Sequence, residues 1–168
     1  SFLERALWLE SDRMGFLLDT LDQGKLDQQR DVVKNERRQN YENRPYGQAN
    51  EKVLGLLWPD EFPYHWLTIG SMEDLSAASL DDVKEFFRRY YAPSNAALLV
   101  VGDFDPAQAR GWIDRYFSTL PAGERAARLT PAAPAPLAED RAASYEDNVQ
   151  VPRLYMAWRS PAAHQPGD

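Results

Sequence analysis

The sequence predicts an α+β fold in which helices pack on one face of a mostly antiparallel sheet. Three observations predict it. Apolar residues recur at three- and four-residue spacing in several separate segments, the signature of amphipathic helices. Ala96-Ala97-Leu98-Leu99-Val100-Val101-Gly102 is a continuous apolar run of strand length, as a buried strand would be. The stretch from Arg141 to Ser160 alternates weakly, most clearly over Leu154-Tyr155-Met156-Ala157-Trp158, and reads as one or two further strands.

The elements follow in order. At the start, Phe2, Leu3, Ala6, Leu7, Met14, Leu17 and Leu18 share one helical face, with Glu4, Arg5, Asp12 and Arg13 on the other. The segment begins inside a helical pattern, so an upstream part is expected. A turn at Asp22-Gln23-Gly24-Lys25 leads to a second helix over about Leu26 to Tyr41. Its apolar content is little more than Leu26, Val32 and Val33. A helix this polar is either a solvated surface helix or one that turns a polar face toward a wet cleft. Asn43-Arg44-Pro45-Tyr46-Gly47 is a turn cluster. A short helix over Gln48–Leu57 is stopped by Trp58-Pro59, and the aromatic loop Tyr64–Gly70 is expected to serve local packing.

Ser79-Leu80-Asp81-Asp82 has the pattern of a capping box. The helix it opens, Leu80 to Tyr91, sets Leu80, Val83, Phe86, Phe87 and Tyr90 on one side, and Pro93 closes it. Asp105-Pro106 is a second helix start, Asp as N-cap and Pro in the first turn. That helix runs to about Phe117, with Ala109, Trp112, Ile113 and Tyr116 inward. Pro121 to Asp140, with Pro131, Pro134 and Pro136, lacks any period and reads as a connector.

Composition narrows the function classes. The 168 residues are 43% hydrophobic and 27% charged, close to a soluble globular average. Lys and Arg total 19 against 26 Asp and Glu, a formal net charge of −7, so there is no basic footprint for nucleic acid. No apolar run approaches a membrane span. The chain has no Cys, which excludes disulfides, thiolate metal sites and a Cys nucleophile. With two histidines, His65 and His164, a self-contained His-rich metal site is excluded too. Both read as ordinary surface histidines. There is no G-x-S-x-G, no G-x-G-x-x-G and no G-K-[ST], and Gly102-Asp103-Phe104-Asp105 is a strand-to-helix turn with a cap. Residue types alone stop at an acidic α+β domain.

A resemblance goes further. Gln29-Arg30-Asp31-Val32-Val33-Lys34-Asn35-Glu36-Arg37-Arg38-Gln39 resembles the polar helix of the pitrilysin/insulinase family of zinc metallopeptidases, the inverzincins. Tyr41–Gly47, Thr68-Ile69-Gly70, Leu80–Tyr91 and Tyr91–Asp105 are similar to that family in the same order, as is Leu7–Met14 at the start. The likeness weakens after about Ala122. In that family two histidines and a general-base glutamate come from an H-x-x-E-H helix, and a later glutamate completes the zinc site. The resemblance implies that Glu36 is that later glutamate, a metal ligand. It also implies that Gln29 stands where the family carries a second, orienting glutamate, outside the ligand set. An amide there can hydrogen-bond but carries no charge. A helix sets Gln29, Val32, Val33 and Glu36 along one side, with Glu36 expected to point inward and Arg30, Lys34 and Arg37 to stay wet.

H-x-x-E-H occurs nowhere in the sequence. The resemblance therefore implies a piece of a zinc-dependent metalloendopeptidase, inactive alone, with no catalytic residue of its own. Zn2+ would belong to the complete parent and would scarcely be bound here. The implied organisation is 1–120 as the later part of the first peptidase half-domain, 121–140 as a Pro/Ala-rich linker, and 141–168 as strands beginning the following region. The implied partners are a peptide substrate and a second peptidase half-domain or homologous subunit, with self-association of this chain expected through exposed apolar edges. Nucleic acid and a membrane span are not expected. The alternative is a non-catalytic homologue that keeps the fold and serves as a structural or substrate-holding partner. The compartment stays open between bacterial cytoplasm and periplasm.

Overall fold

The computed structural model describes residues 2–165 and 167, and among them there is helix but no strand. The elements are α1 (Phe2–Thr20), α2 (Gln23–Arg37), a π-helical turn (Arg38–Glu42), α3 (Ala49–Leu57), α4 (Met72–Ala77), α5 (Leu80–Tyr90), a 3-10 turn (Pro93–Asn95) and α6 (Pro106–Phe117). The chain divides into two compact units, one of residues 1–28 and 78–128, the other of residues 29–77 and 129–168.

In the first unit α1 packs on α6. Leu7 and Ala109, on these two helices, are among the few buried apolar side chains. Trp112, Ile113 and Tyr116 are half-buried, the face the spacing predicts. The Tyr116 hydroxyl donates to Glu4 Oε1 at 3.0 Å, and that carboxylate lifts the phenol above its ordinary range. Caps form where the sequence places them. Asp105 accepts from the amides of Ala107 and Gln108 at 2.8 and 3.0 Å, and Pro106 occupies the first turn. Ser79 and Asp82 complete a reciprocal capping box on α5. The Ser79 hydroxyl, and then its amide, hold the Asp82 carboxyl below the ordinary carboxylate value. This contribution is therefore fully present above that value and fades as pH falls below it. Gly111, in the middle of α6, has nothing within 4 Å of the place a Cβ would occupy. Gly111→Ala is expected to stabilise the chain by about 0.5–1 kcal/mol in urea unfolding, through helix propensity alone; a loss of stability would contradict the open site.

In the second unit two arginines from the C-terminal tail close α3. Arg141 Nη1 donates to the Leu56 carbonyl at 3.1 Å, and the Arg159 guanidinium donates to the Leu57 carbonyl and lies 4.7 Å from the Trp58 ring centroid. These carbonyls are among the last of the helix, which has no further amide to offer them. Trp58, Phe62 and Tyr64 form an aromatic cluster with centroids 4.8–5.5 Å apart; of the loop expected to pack locally it takes in Tyr64, while Trp66 is exposed. His65 is half-buried, with Nδ1 2.8 Å from the Trp58 carbonyl.

The expected sheet is not there, and the fold is all-α rather than α+β. A strand exists only when its amides and carbonyls meet a neighbouring backbone. Among the described residues, 96–102 and 141–160 make no ladder. The apolar run marks residues fit for burial, yet Leu99 and Val101 are each 85% exposed, and Leu154 is 83% exposed. The tail instead is irregular, tied by Arg141, Arg159 and Asp147. Two smaller corrections concern helices. α2 begins at Gln23 because Asp22 accepts from the Lys25 amide at 2.9 Å and caps it, where a turn is expected through Lys25. α4 lies in a stretch with no expected element; the Ser71 hydroxyl caps it by accepting from Asp74 N at 2.9 Å.

Candidate functional site

The candidate site is the part of α2 that belongs to the second unit, with the turn that follows it. Arg30 and Arg37 lie seven residues apart, and at about 100° per residue they fall within about 20° of one row. Both are turned to the protein. Arg30 Nε donates to the Leu75 carbonyl at 2.8 Å. Arg37, 8% exposed, is the buried charged side chain of this unit. Its Nη1 donates to the Gly70 carbonyl at 2.9 Å, and its Nη2 donates to both Glu51 oxygens at 2.8 and 3.0 Å. Its Nε faces Glu42 Oε1 at 3.7 Å, an ion pair too long for a hydrogen bond.

The π turn explains how Glu42 arrives there. Asn43 N donates to the Arg38 carbonyl at 2.8 Å, an i→i+5 bond. A π turn brings residues five apart closer to one face than an α-helix does. Glu42 thereby comes round beneath Arg37. Gly70 presents its carbonyl from a φ of +80°, the left-handed region that favours glycine.

Gln29 and Glu36 each precede one of these arginines, so they form a neighbouring row rotated by about 100°. Both are exposed. The expected inward and outward faces are thus reversed. Arg37 is buried and Arg30 half-buried, while Glu36 is open to solvent. The physical reason is that a guanidinium can enter an interior lined by carbonyls and a carboxylate, whereas an unpartnered carboxylate cannot. Sequence reasoning missed this arginine row; its signal is the seven-residue spacing that Arg30–Arg37 shares with Gln29–Glu36.

Among the described residues no three His, Asp or Glu side chains gather to hold a metal ion. One exposed carboxylate on an anchored helix suits zinc as a single oxygen ligand, while a catalytic centre takes three protein ligands. The residues present fit a share of a zinc site rather than a whole one. His65 is engaged with Trp58 and takes no part.

The chain resembles known proteins along most of its length. Residues 77–168 match the family described as Peptidase M16 inactive domain. The chain is 30% identical over 162 residues to the zinc protease PqqE of Helicobacter pylori, covering 95% of this chain and 36% of that protein. It is 32% identical over 83 residues to the probable zinc protease PqqL of Escherichia coli K12, covering 49% of this chain and 8% of that protein. The crystal structure of a protease from Helicobacter pylori superposes with a TM-score of 0.68 at 33% identity, over 77% of this chain and 30% of that one. The chain spans about a third of the length of the PqqE relative. The family match, over more than half of the sequence, establishes that this chain belongs to the M16 peptidases, the pitrilysin/insulinase family its motifs resemble.

Proposed function

We propose that this chain contributes one ligand, Glu36, to the zinc centre of a metalloendopeptidase whose histidines and general base lie in another part of the same protein. The observation that supports this reading is the exposed carboxylate of Glu36, which the resemblance matches to the family's distal ligand, on a helix anchored along the neighbouring row. Zinc, when bound, polarises the scissile carbonyl and acidifies a bound water. This chain's residues hold and orient Glu36; they carry out no step of peptide hydrolysis alone. The proposed substrate is a peptide, held between this half-domain and a second half-domain or homologous subunit. The division at residues 121–140 belongs to the same proposal.

Calorimetric titration of zinc into the isolated chain tests the reading. The expected result is no stoichiometric binding in the micromolar range, because one carboxylate cannot hold the ion. Stoichiometric micromolar binding would overturn it. A second reading, a non-catalytic homologue, is favoured by the amide at Gln29, which removes a charge from the ligand's surroundings. The two part on one fact: whether the residues that precede this segment in the full protein contain H-x-x-E-H.

A further inference from the structure

We propose that Arg30 and Arg37 are positioning residues for Glu36, acting as two anchors that set the rotation and end of α2. The inference rests on the reading of Glu36 as a metal ligand. It adds a pair of side chains that touch neither metal nor substrate.

The geometry has three parts. First, the anchors are tied to backbone rather than to mobile side chains. Arg30 bonds the Leu75 carbonyl in α4, and Arg37 bonds the Gly70 carbonyl in the loop before it. Two such bonds, seven residues apart on one helix row, fix both its azimuth and its axial setting against residues 70–75. A single bond would leave the helix free to roll about it. Second, Arg37 is locked in turn by Nη2, which donates to both oxygens of Glu51, and by the carboxylate of Glu42 facing its Nε. Arg is suited to this task because it carries several donors in one plane, so that one Nη serves both carboxylate oxygens while the other Nη reaches a carbonyl. Third, the apolar contacts that usually seat a helix are scarce. Val32 is 53% exposed, and Arg37 is the buried residue of α2. Polar anchors therefore do what an apolar stripe does elsewhere, and they leave the Gln29–Glu36 row open.

A carboxylate ligand must be held within about 0.5 Å and 10–20° of its productive position. Glu36 is adjacent in sequence to Arg37, so rotation of the helix end by one anchor's release moves the carboxylate directly.

The test uses the full-length protein carrying this sequence, with variants Arg37→Lys, Arg30→Gln and Glu36→Gln, and Arg38→Gln as a control. Arg38 is exposed, and its side chain bonds Asn35 within its own turn. Zinc affinity is read by chelator competition, kcat and KM on a peptide, and folding by thermal melting. The expected result is about 10–100-fold weaker zinc for Arg37→Lys and Arg30→Gln, the range seen for residues that orient ligands. Their kcat should fall with KM within about twofold, since substrate contacts are untouched. Arg38→Gln should leave all three unchanged. Zinc affinity within twofold of wild type in both anchor variants, while Glu36→Gln loses zinc, overturns the anchors and leaves the ligand. Retention of zinc by Glu36→Gln overturns the ligand reading and the anchors with it. Unfolding of both anchor variants assigns the arginines to stability alone and likewise overturns the proposal.

Discussion

Glu36→Gln in the full-length protein is expected to lower peptidase activity by about 10³-fold and to release most of its zinc at micromolar metal. The size follows from what the metal supplies. Lewis-acid stabilisation of a developing oxyanion is worth several kcal/mol, and about 4 kcal/mol corresponds to about 10³-fold in rate. Gln keeps the length and polarity of Glu but loses the negative charge that balances a divalent ion, so the change isolates ligation from packing. Packing has little to lose, because the Glu36 side chain is exposed. Circular dichroism and melting should therefore match wild type, and zinc content measured by atomic emission should not. Gln29→Glu, the reverse change two turns earlier in the same row, restores a carboxylate and is expected to tighten zinc by up to about tenfold. A Glu36→Gln protein with wild-type zinc and activity would remove this chain from the metal centre altogether.

What the sequence reveals and what it hides divide along one physical line. Local chemistry is legible. The Asp105-Pro106 start, the Ser79–Asp82 capping box and the Ala109–Tyr116 face all appear as expected, because each depends on residues within one or two turns. Pairing is not local. Ala96–Gly102 has every property of a strand except a neighbour, and strand identity lies in the neighbour. The same line runs through the site. The likeness of residues 29–39 to a family helix fixes where Glu36 stands in the sequence. It does not say which way the helix is rolled, since that is set by Leu75 and Gly70, 45 and 33 residues away from their arginine partners. Assigning charged residues to solvent by default put Arg37 outside. Its three partners, a carbonyl and two carboxylates, are what reverse that default.

The turn after the site carries the second large effect: Gly47→Ala is expected to destabilise the chain by about 3 kcal/mol in urea unfolding. A Cβ at Gly47 would run into the carbonyl oxygens of Tyr41 and Arg44. Both obstacles are backbone, so no side chain can swing away to make room. The Gly47 amide also donates to the Arg44 carbonyl at 2.8 Å, which holds the two ends of the turn together. Tyr46 makes the turn less forgiving still. It holds a φ of +59°, costly for a residue with a side chain, and is kept there by its neighbours. Its amide donates to Asp147 Oδ2 at 2.7 Å, its hydroxyl to the Val151 carbonyl at 2.5 Å, and the Arg153 guanidinium lies 3.8 Å from its ring centroid. Any shift that relieves a Cβ at Gly47 must pull against those contacts. The strain then reaches the site by a short route, because Tyr41 and Glu42 belong to the π turn and Glu42 sits beside Arg37. In the full-length protein Gly47→Ala should therefore weaken zinc as well as stability, whereas Gly111→Ala, in open space on α6, should leave zinc unchanged. A loss of less than about 1 kcal/mol for Gly47→Ala would mean that the turn yields more easily than two backbone carbonyls at contact distance allow.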